Sequence, residues 1–434
     1  MRVAFIRPNL IAQRSTDAME PLAFAILAAL SPPGTEHRLR DERVEPVSSG
    51  ESPDLAAFSL DTYSARRAYD LAAAYRSKGV PVVMGGHHPT LVPEEAAEHA
   101  DCVVVADAEA VWPQLLEDFQ AGRLKKRYQG PGTTIPAGRL PDRGLFKGKG
   151  YGRLALVQFS RNCPHRCDFC SIPAFYGTGM RLRPKEDVIR EVEALSGRPF
   201  FLVDDNLFGS KEAARELLEA LVPLRSHWCC QLSMDAARDD GLMDLLAKAG
   251  CVAATIGFES LDRLNLEQMG KKPNLSQDYA EVVRRFHDRG VMVYATFVFG
   301  YDYDTQAAFD AVLEFCLRSK VCLANFNPLT PMPGTRLHKR LEEEGRLLFK
   351  KWWLDPGYRY GDAVFRPRGM APEALAEGCF RVRREFNRFG SILLRGLNFK
   401  ANSRTPLRAG LYLAANLVSR REIYRKQGAA LGAA

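Results

Sequence analysis

The chain has 434 residues, 46% hydrophobic and 26% charged, the balance of an ordinary globular protein. One hydrophobic core does not organise a chain of this length, so two or three domains are expected. No apolar run reaches the roughly 18–20 residues of a membrane span. Residues 1–8 read as a buried strand and not as a signal peptide, which leads us to expect a cytoplasmic location. The formal charge of +8 is spread along the chain, densest in the last fifth, with no nucleic-acid module beside it. Solubility, or a docking face for an acidic electron donor, explains it without a nucleic-acid partner.

In chain order, the first 120 residues alternate apolar runs with helix-like stretches. Strands are expected at 3–6, 55–60, 80–84 and 102–105, with helices at 21–30, 65–77 and 109–119. That alternation predicts a parallel sheet covered on both faces, an α/β Rossmann-like domain over residues 1–125. The turn from Gly85 to Thr90 follows a strand, where open α/β sheets bind ligands. Residues 126–150, rich in Gly, Pro, Lys and Arg, read as a linker. From residue 151 to 335 the period lengthens. Strands at 154–159, 200–203, 229–233, 252–257, 291–299 and 323–327, with helices between them, predict a partial (β/α)6 barrel whose chemistry lies at the carboxyl strand ends. Residues 336–434 read as helical. They carry an aromatic segment around Trp352 and Trp353 and an amphipathic basic tail around Leu411, Leu417, Arg420 and Arg421. One face of that tail is expected to pack on the barrel, and a membrane-surface helix is the alternative.

Seven of the ten cysteines lie alone or in apolar runs and read as small core residues. Cys163, Cys167 and Cys170 differ, standing at spacings of four and three directly after the first barrel strand. Thiolates suit iron–sulfur clusters. Three ligands for four irons leave one iron open to chemistry. A Cys3His zinc site using His165 is the alternative.

These residues resemble the radical S-adenosylmethionine (SAM) superfamily, whose signature is CxxxCxxC on this loop with an aromatic residue before the last cysteine; Phe169 fills that place. The resemblance implies a [4Fe–4S] cluster on Cys163, Cys167 and Cys170 that binds SAM, cleaves its S–C5′ bond with one electron, and so abstracts hydrogen from a small-molecule substrate. It also implies an electron donor such as flavodoxin or ferredoxin. By position, Asp204, Asp205 and Asn206 stand where members hold the methionine amino group. Gln231 and Ser233 could meet the ribose or the carboxylate, and Glu259 and Ser260 end the fourth strand near both. Arg181 and Arg183 could pair a carboxylate.

The first 120 residues look like the cobalamin-binding domain that precedes the barrel in one class of the superfamily, through the stretch Met84 to Thr90 and Ala100 to Val105. The loop at 9–19 lacks glycine, Asp61 and Tyr63 stand where small residues usually admit the corrin, and Ala106 to Glu109 replaces the usual Gly-Glu pattern. The expectation is therefore a domain that kept its fold and has lost cobalamin. Size and altered first domain look similar to a compact member, the apramycin-pathway dehydratase, which implies dehydration of an amino-sugar substrate. The alternative is cobalamin-dependent C-methylation, and a more distant one is a non-catalytic metal-cluster scaffold. Dehydration needs an acid or base, for which His87, His88, Tyr294, Tyr301 and Asp302 are the candidates by position.

Overall fold

The computed structural model describes residues 1–47, 52–132, 135 and 137–432. Strands β1 (Arg2–Arg7), β2 (Glu36–Asp41), β3 (Leu55–Ser59), β4 (Val82–Gly85), β5 (Cys102–Val105) and β6 (Arg127–Gln129) form a six-stranded parallel sheet in the order β2-β1-β3-β4-β5-β6. Along β1, Ala4 and Ile6 point to one face and Val3 and Phe5 to the other, the alternation a strand imposes. Val3 and Phe5 pack with α1 (Leu22–Leu30) and with the helix Trp112–Gln120, while Ala4 and Ile6 pack with α2 (Ala65–Arg76) on the opposite face. The strand order reverses between β1 and β3, and a crevice at such a switch point takes ligands.

Two strands of this sheet lack the expected apolar signal. Strand β2 buries only Leu39 and Asp41, and β6, inside the segment read as linker, buries only Tyr128. Both are edge strands, so polar sequences suffice for them.

The second six-stranded sheet contains β7 (Ala155–Val157), β10 (Phe200–Leu202), β11 (Trp228–Leu232), β12 (Cys251–Glu259), β13 (Met292–Phe299) and β14 (Leu323–Pro328). Between β7 and β10 a short antiparallel pair, β8 (Ser160–Arg161) and β9 (Arg181–Leu182), brackets the cysteine loop. The order β14-β13-β12-β11-β10-β7 leaves the sheet open between its first and last strands, a partial barrel. On β13, Val293, Ala295 and Phe297 are buried, while Tyr294, Thr296 and Val298 between them are half-buried. The buried set packs outward under helices and the half-buried set faces the barrel interior.

Of the remaining helices, α3 (His87–Leu91), α4 (Pro93–His99) and α5 (Trp112–Gln120) complete the first domain. Next, α6 (Ser171–Tyr176) follows the cysteines and α7 (Lys185–Ala194) follows β9. The barrel then adds α8 (Lys211–Leu221), α9 (Asp240–Lys248), α10 (Arg263–Gln268), α11 (Tyr279–Asp288) and α12 (Ala307–Arg318). Beyond β14 come α13 (Arg336–Glu343), α14 (Pro372–Phe386), α15 (Phe389–Gly396) and α16 (Pro406–Lys426).

The last two helices close the amino ends of the barrel strands. Arg395 donates to the carbonyls of Val321 and Cys322 at 3.1 and 2.8 Å, and Arg408 to those of Val252 and Gly290 at 2.7 and 3.2 Å. At its far end α16 reaches the first domain, where Lys426 pairs with Asp17 at 3.0 Å. The face of α16 that packs is not the leucine face. Its buried residues are Tyr412, Asn416 and Glu422, each with a polar partner: Tyr412 donates to the Ile392 carbonyl of α15 at 2.6 Å, Asn416 to Cys322 at 3.1 Å, and Glu422 accepts from the Thr16 amide at 3.1 Å. Among the described residues, no helix is long and apolar enough to cross a membrane.

Candidate cluster and cofactor site

The loop carrying Cys163, Cys167 and Cys170 is held from four directions. Asp205 at the end of β10 accepts from the Asn162 amide at 2.8 Å. The Asp168 amide donates to Met269 after α10, and its carbonyl accepts from the Leu337 amide of α13, both at 3.0 Å. From the end of β13, the Tyr301 hydroxyl donates to the Asp168 carboxylate. Asn162 itself sits at φ +78 and spends its amide on the carbonyls of Gly177 and Gly179 at 3.2 and 2.9 Å, folding the loop back on itself.

Burial pushes all three thiols up, Cys167 to about 11 and Cys170 to about 12. At neutral pH such thiols stay protonated until a metal replaces the proton, which couples loading to proton release. Among the described residues no three His, Cys, Asp or Glu side chains converge as ligands of a single ion. His165, the fourth donor of a zinc site, keeps its Nε2 buried without a hydrogen bond. The donor set fits a group with several metal atoms that meets each thiolate separately.

At the strand ends beside the loop, Asn206 and Ser233 exchange hydrogen bonds at 3.0 and 3.2 Å, and Gln231 donates to the Asp205 carbonyl at 3.1 Å. Glu259 closes β12 and is paired with Lys271 at 2.7 Å, and Ser260 accepts from the Asp262 amide at 3.0 Å. Two cavities lie here. One of about 390 Å³ is lined by Phe169 and Cys170 of the loop, Tyr63 of the first domain, Val298 of β13, and Tyr360 and Arg383 of the C-terminal region. The other, about 280 Å³, is lined by Glu259, Ser260 and, from its opposite wall, Val298 and Asp304.

A third cavity, about 240 Å³, lies between the domains. Its wall is apolar, including Leu22, Ala57, Val104 and Trp112, and its rim is polar, with Asp107, Gln158 and Arg161. That volume is below the range of about 300–1,000 Å³ common for whole ligands, so it suits a flat portion of a larger cofactor. Gly86 belongs to its lining; at φ +99, a Cβ there would sit 3.0 Å from the Leu60 carbonyl and from Ser59 Oγ. No histidine lines the cavity, so a corrin there would draw no imidazole ligand from its lining. Neither Asp61 nor Tyr63 lines it either. Asp61 pairs with Arg7 at 2.7 Å, and Tyr63 turns to the other cavity. The residues present thus leave room for part of a cobalamin at the carboxyl edge of the first sheet.

Several side chains expected at the site are placed elsewhere. His88 is fully buried in the first domain, 3.1 Å from Glu95 and 3.3 Å from Thr62, where packing and not chemistry uses it. His87 stacks on Phe175 with ring centroids 4.9 Å apart. Tyr294 packs low in the barrel against the cluster formed by Met292, Cys322 and Tyr412. Asp302 is taken by Arg346 at 2.8 Å and by Gln268 at 2.6 Å. Tyr301, 1% exposed, anchors the cysteine loop. Arg183 bonds Glu191 of α7, and Arg181 bonds Asp107 through Nη1 while its Nε and Nη2 are buried without a hydrogen bond. Asp204 accepts from the Phe159 and Ser160 amides at 2.8 and 2.9 Å and from Ser160 Oγ at 2.7 Å, which joins β10 to β8 and leaves it turned from the cavities.

Three groups escaped the sequence reading. Lys271 sits in a turn with no motif, Arg161 meets Asp107 and Glu109 only across the domain boundary, and Arg383 enters its cavity from a C-terminal helix. Each is recognisable only through a non-local partner.

Residues 157–316 match the family model described as the Radical SAM superfamily, and residues 21–116 that of the B12 binding domain. The chain is similar to the bacteriochlorophyllide d C-12(1)-methyltransferase of Chlorobaculum tepidum, 29% identical over 353 residues, 79% of this chain and 76% of that protein. It is also similar to the bacteriochlorophyllide d C-8(2)-methyltransferase of the same organism, 28% identical over 352 residues, covering 76% and 78%. In fold it is similar to the radical SAM methyltransferase TsrM from Kitasatospora setae, solved with cobalamin and a [4Fe–4S] cluster bound, with a TM-score of 0.67 at 18% identity over 98% of each chain. With its cysteine loop between β8 and β9 at an open six-stranded barrel, the chain carries a radical SAM domain preceded by a B12-binding-type domain.

Proposed function

We propose that the protein is a cobalamin-dependent radical SAM C-methyltransferase acting on a small molecule. The observation that carries this reading is the interdomain cavity, which joins Gly86 and Asp107 of the first domain to Gln158 and Tyr176 of the barrel. The methyltransferase names of the relatives support it. Dehydration of an amino sugar, the first expectation from the sequence, gives way on both counts: Asp61 and Tyr63 stand clear of that cavity, and Ala106, Asp107, Ala108 and Glu109 line it without closing it.

When bound, the cluster supplies the electron that cleaves one SAM and cobalamin the carrier that takes the methyl group of another. The chain's own residues divide that work. Cys163, Cys167 and Cys170 would hold the cluster, and Asn206, Gln231, Ser233 and Glu259 present polar groups to SAM at the strand ends. Gly86 and the apolar wall around Trp112 would hold the flat part of the corrin cofactor. Helix α6 begins at the cysteines and carries Tyr176 to the corrin cavity; at about 1.5 Å per residue its six residues span roughly 9 Å. Substrate is assigned to the cavity at Cys170. Its lining sets apolar Phe169, Val298 and Met332 beside the hydroxyls of Tyr63, Thr330 and Tyr360, which suits a molecule with a broad apolar face and a few polar groups. Arg383 donates to the Phe326 carbonyl at 2.7 Å, to Asn327 at 3.0 Å and to Gln427 at 3.3 Å, so it stiffens this wall, and the cavity suits an aromatic or polycyclic molecule.

Anaerobic reconstitution with iron, sulfide and hydroxocobalamin, followed by desalting, tests the reading. Retained corrin absorbance, and 5′-deoxyadenosine formed from SAM and dithionite, are expected. Deoxyadenosine without retained corrin would return the reading to direct radical chemistry such as dehydration. Loss of both would remove the enzymatic reading.

A further inference from the structure

Large exposed apolar side chains are concentrated in one place. Of the sixteen on the described residues, eleven lie between Phe389 and Tyr424. They include Phe389 at 60% exposure, Leu393 at 67% and Phe399 at 70%. On α16, Leu407, Leu411, Ala414 and Val418 follow one another at helical spacing, opposite the buried Tyr412 and Asn416. Contiguous patches of this kind mark interaction surfaces.

The charge around the patch has one sign. From Phe386 to Arg421 there is no Asp or Glu, while Arg388, Lys400, Arg404, Arg408, Arg420 and Arg421 are all at least partly exposed. Arg388 pairs with Glu385 and Lys400 with Asp288. The other four have no carboxylate partner among the described residues. Arg404, Arg408 and Arg420 use part of their donors on backbone carbonyls, of Arg289 at 3.3 Å, Val252 at 2.7 Å and Asn387 at 2.8 Å. Arg420 also lies 4.6 Å over the Phe389 ring, so cation and apolar surface share one face.

We propose that α15, α16 and the turn between them dock this protein on an anionic lipid surface. Leucine and phenylalanine side chains would enter the headgroup boundary while the arginines meet the lipid phosphates, the arrangement of interfacial helices. A second copy of the chain fits less well, since a two-fold contact would set this cationic patch against itself. Arg395 and Arg408 anchor these helices at the amino ends of the barrel strands, whereas the cysteine loop lies at the carboxyl ends. Docking by this face therefore leaves the cluster mouth open.

Flotation of the reconstituted full-length protein with phosphatidylcholine vesicles, with and without phosphatidylglycerol, provides the test. Binding is expected only to the vesicles containing phosphatidylglycerol and falls as salt rises. Arg404→Ala and Arg421→Ala each weaken it by about fivefold. Leu393→Glu with Phe399→Glu abolishes it, while the deoxyadenosine yield from SAM is unchanged because neither residue touches the site. Wild-type protein that stays unbound by anionic vesicles overturns the proposal. So does a dimer in solution that the two glutamates convert to monomer while vesicle binding is absent throughout.

Discussion

Lys271 places its Nζ 2.7 Å from Glu259 Oε1 in a buried pair at the end of β12. Glu259 holds φ +63 there, in the left-handed region that costs a non-glycine residue about 1–3 kcal/mol. The ladder to β13 shifts register between Gly257 and Glu259. Gly257 makes the pair possible, because a Cβ at that position would fall 2.2 Å from Glu259 Oε1 and 2.8 Å from Lys271 Nζ. Burial by itself would lower the Lys271 ammonium, but the Glu259 carboxylate outweighs it and holds the ammonium well above its ordinary range. A fixed positive charge thus sits beside the cluster thiols.

Removing one partner strands the other. Lys271→Met is expected to lower stability by about 3 kcal/mol, in the range for a broken buried pair. Adding Glu259→Gln should recover part of that loss. Urea unfolding of both variants measures it, and equal losses in the single and double variants would deny the pairing.

The domain boundary responds to Arg161. This side chain, 5% exposed, pairs with Asp107 at 2.8 Å and also meets Glu109, while Arg181 meets Asp107 as well. Arg161→Met leaves buried carboxylates short of a partner, at an expected cost of about 3 kcal/mol. Because these groups rim the interdomain cavity, the variant should also release hydroxocobalamin on desalting. Limited proteolysis in residues 126–150 would report the loosened boundary.

Filling the same cavity separates its two proposed uses. Ala23 lines it and is exposed, so Ala23→Trp blocks the space without disturbing a packed core. Corrin retention is expected to fall at least tenfold, with iron content and deoxyadenosine yield preserved. Unchanged corrin retention would mean that the cofactor sits elsewhere.

Stability depends on pH through buried carboxyls. Burial pushes Asp304 from 3.8 up to about 6, although it accepts from the Gly300 amide and from Asn265, both at 2.8 Å. An acid raised in the folded state contributes stability that is complete below about 3.8 and lost as pH climbs through about 6, on the order of 3 kcal/mol. Buried histidines act in the opposite sense; burial takes His287 down to about 4, so its contribution is lost as pH falls. The difference between wild type and Asp304→Asn isolates the carboxyl. Wild type should lose stability relative to the variant between pH 4 and 6.5 in urea titrations.

What the sequence by itself determined is whatever depends on local spacing. The period of apolar runs marks β1, β3, β4 and β5 of the first sheet and all six strands of the barrel sheet, and three thiols within eight residues mark the cluster loop. Neighbours along the chain are close in any fold, so such signals survive in one dimension. Strands β2 and β6 did not show, because at the sheet edges they bury only Leu39 and Asp41 and only Tyr128, whereas the barrel's edge strands β7 and β14 bury more apolar residues. The tertiary structure decided which polar residues face a cavity and which are consumed by distant partners. It gave His88 to Glu95 and Thr62, Asp204 to the backbone of β8, and Arg183 to Glu191. It also brought Tyr63 and Arg383, 320 positions apart in the numbering, into the wall beside Cys170. A hydrogen bond or an ion pair reaches only a few ångströms, and which residues come that close is set by how the two sheets and the C-terminal helices pack.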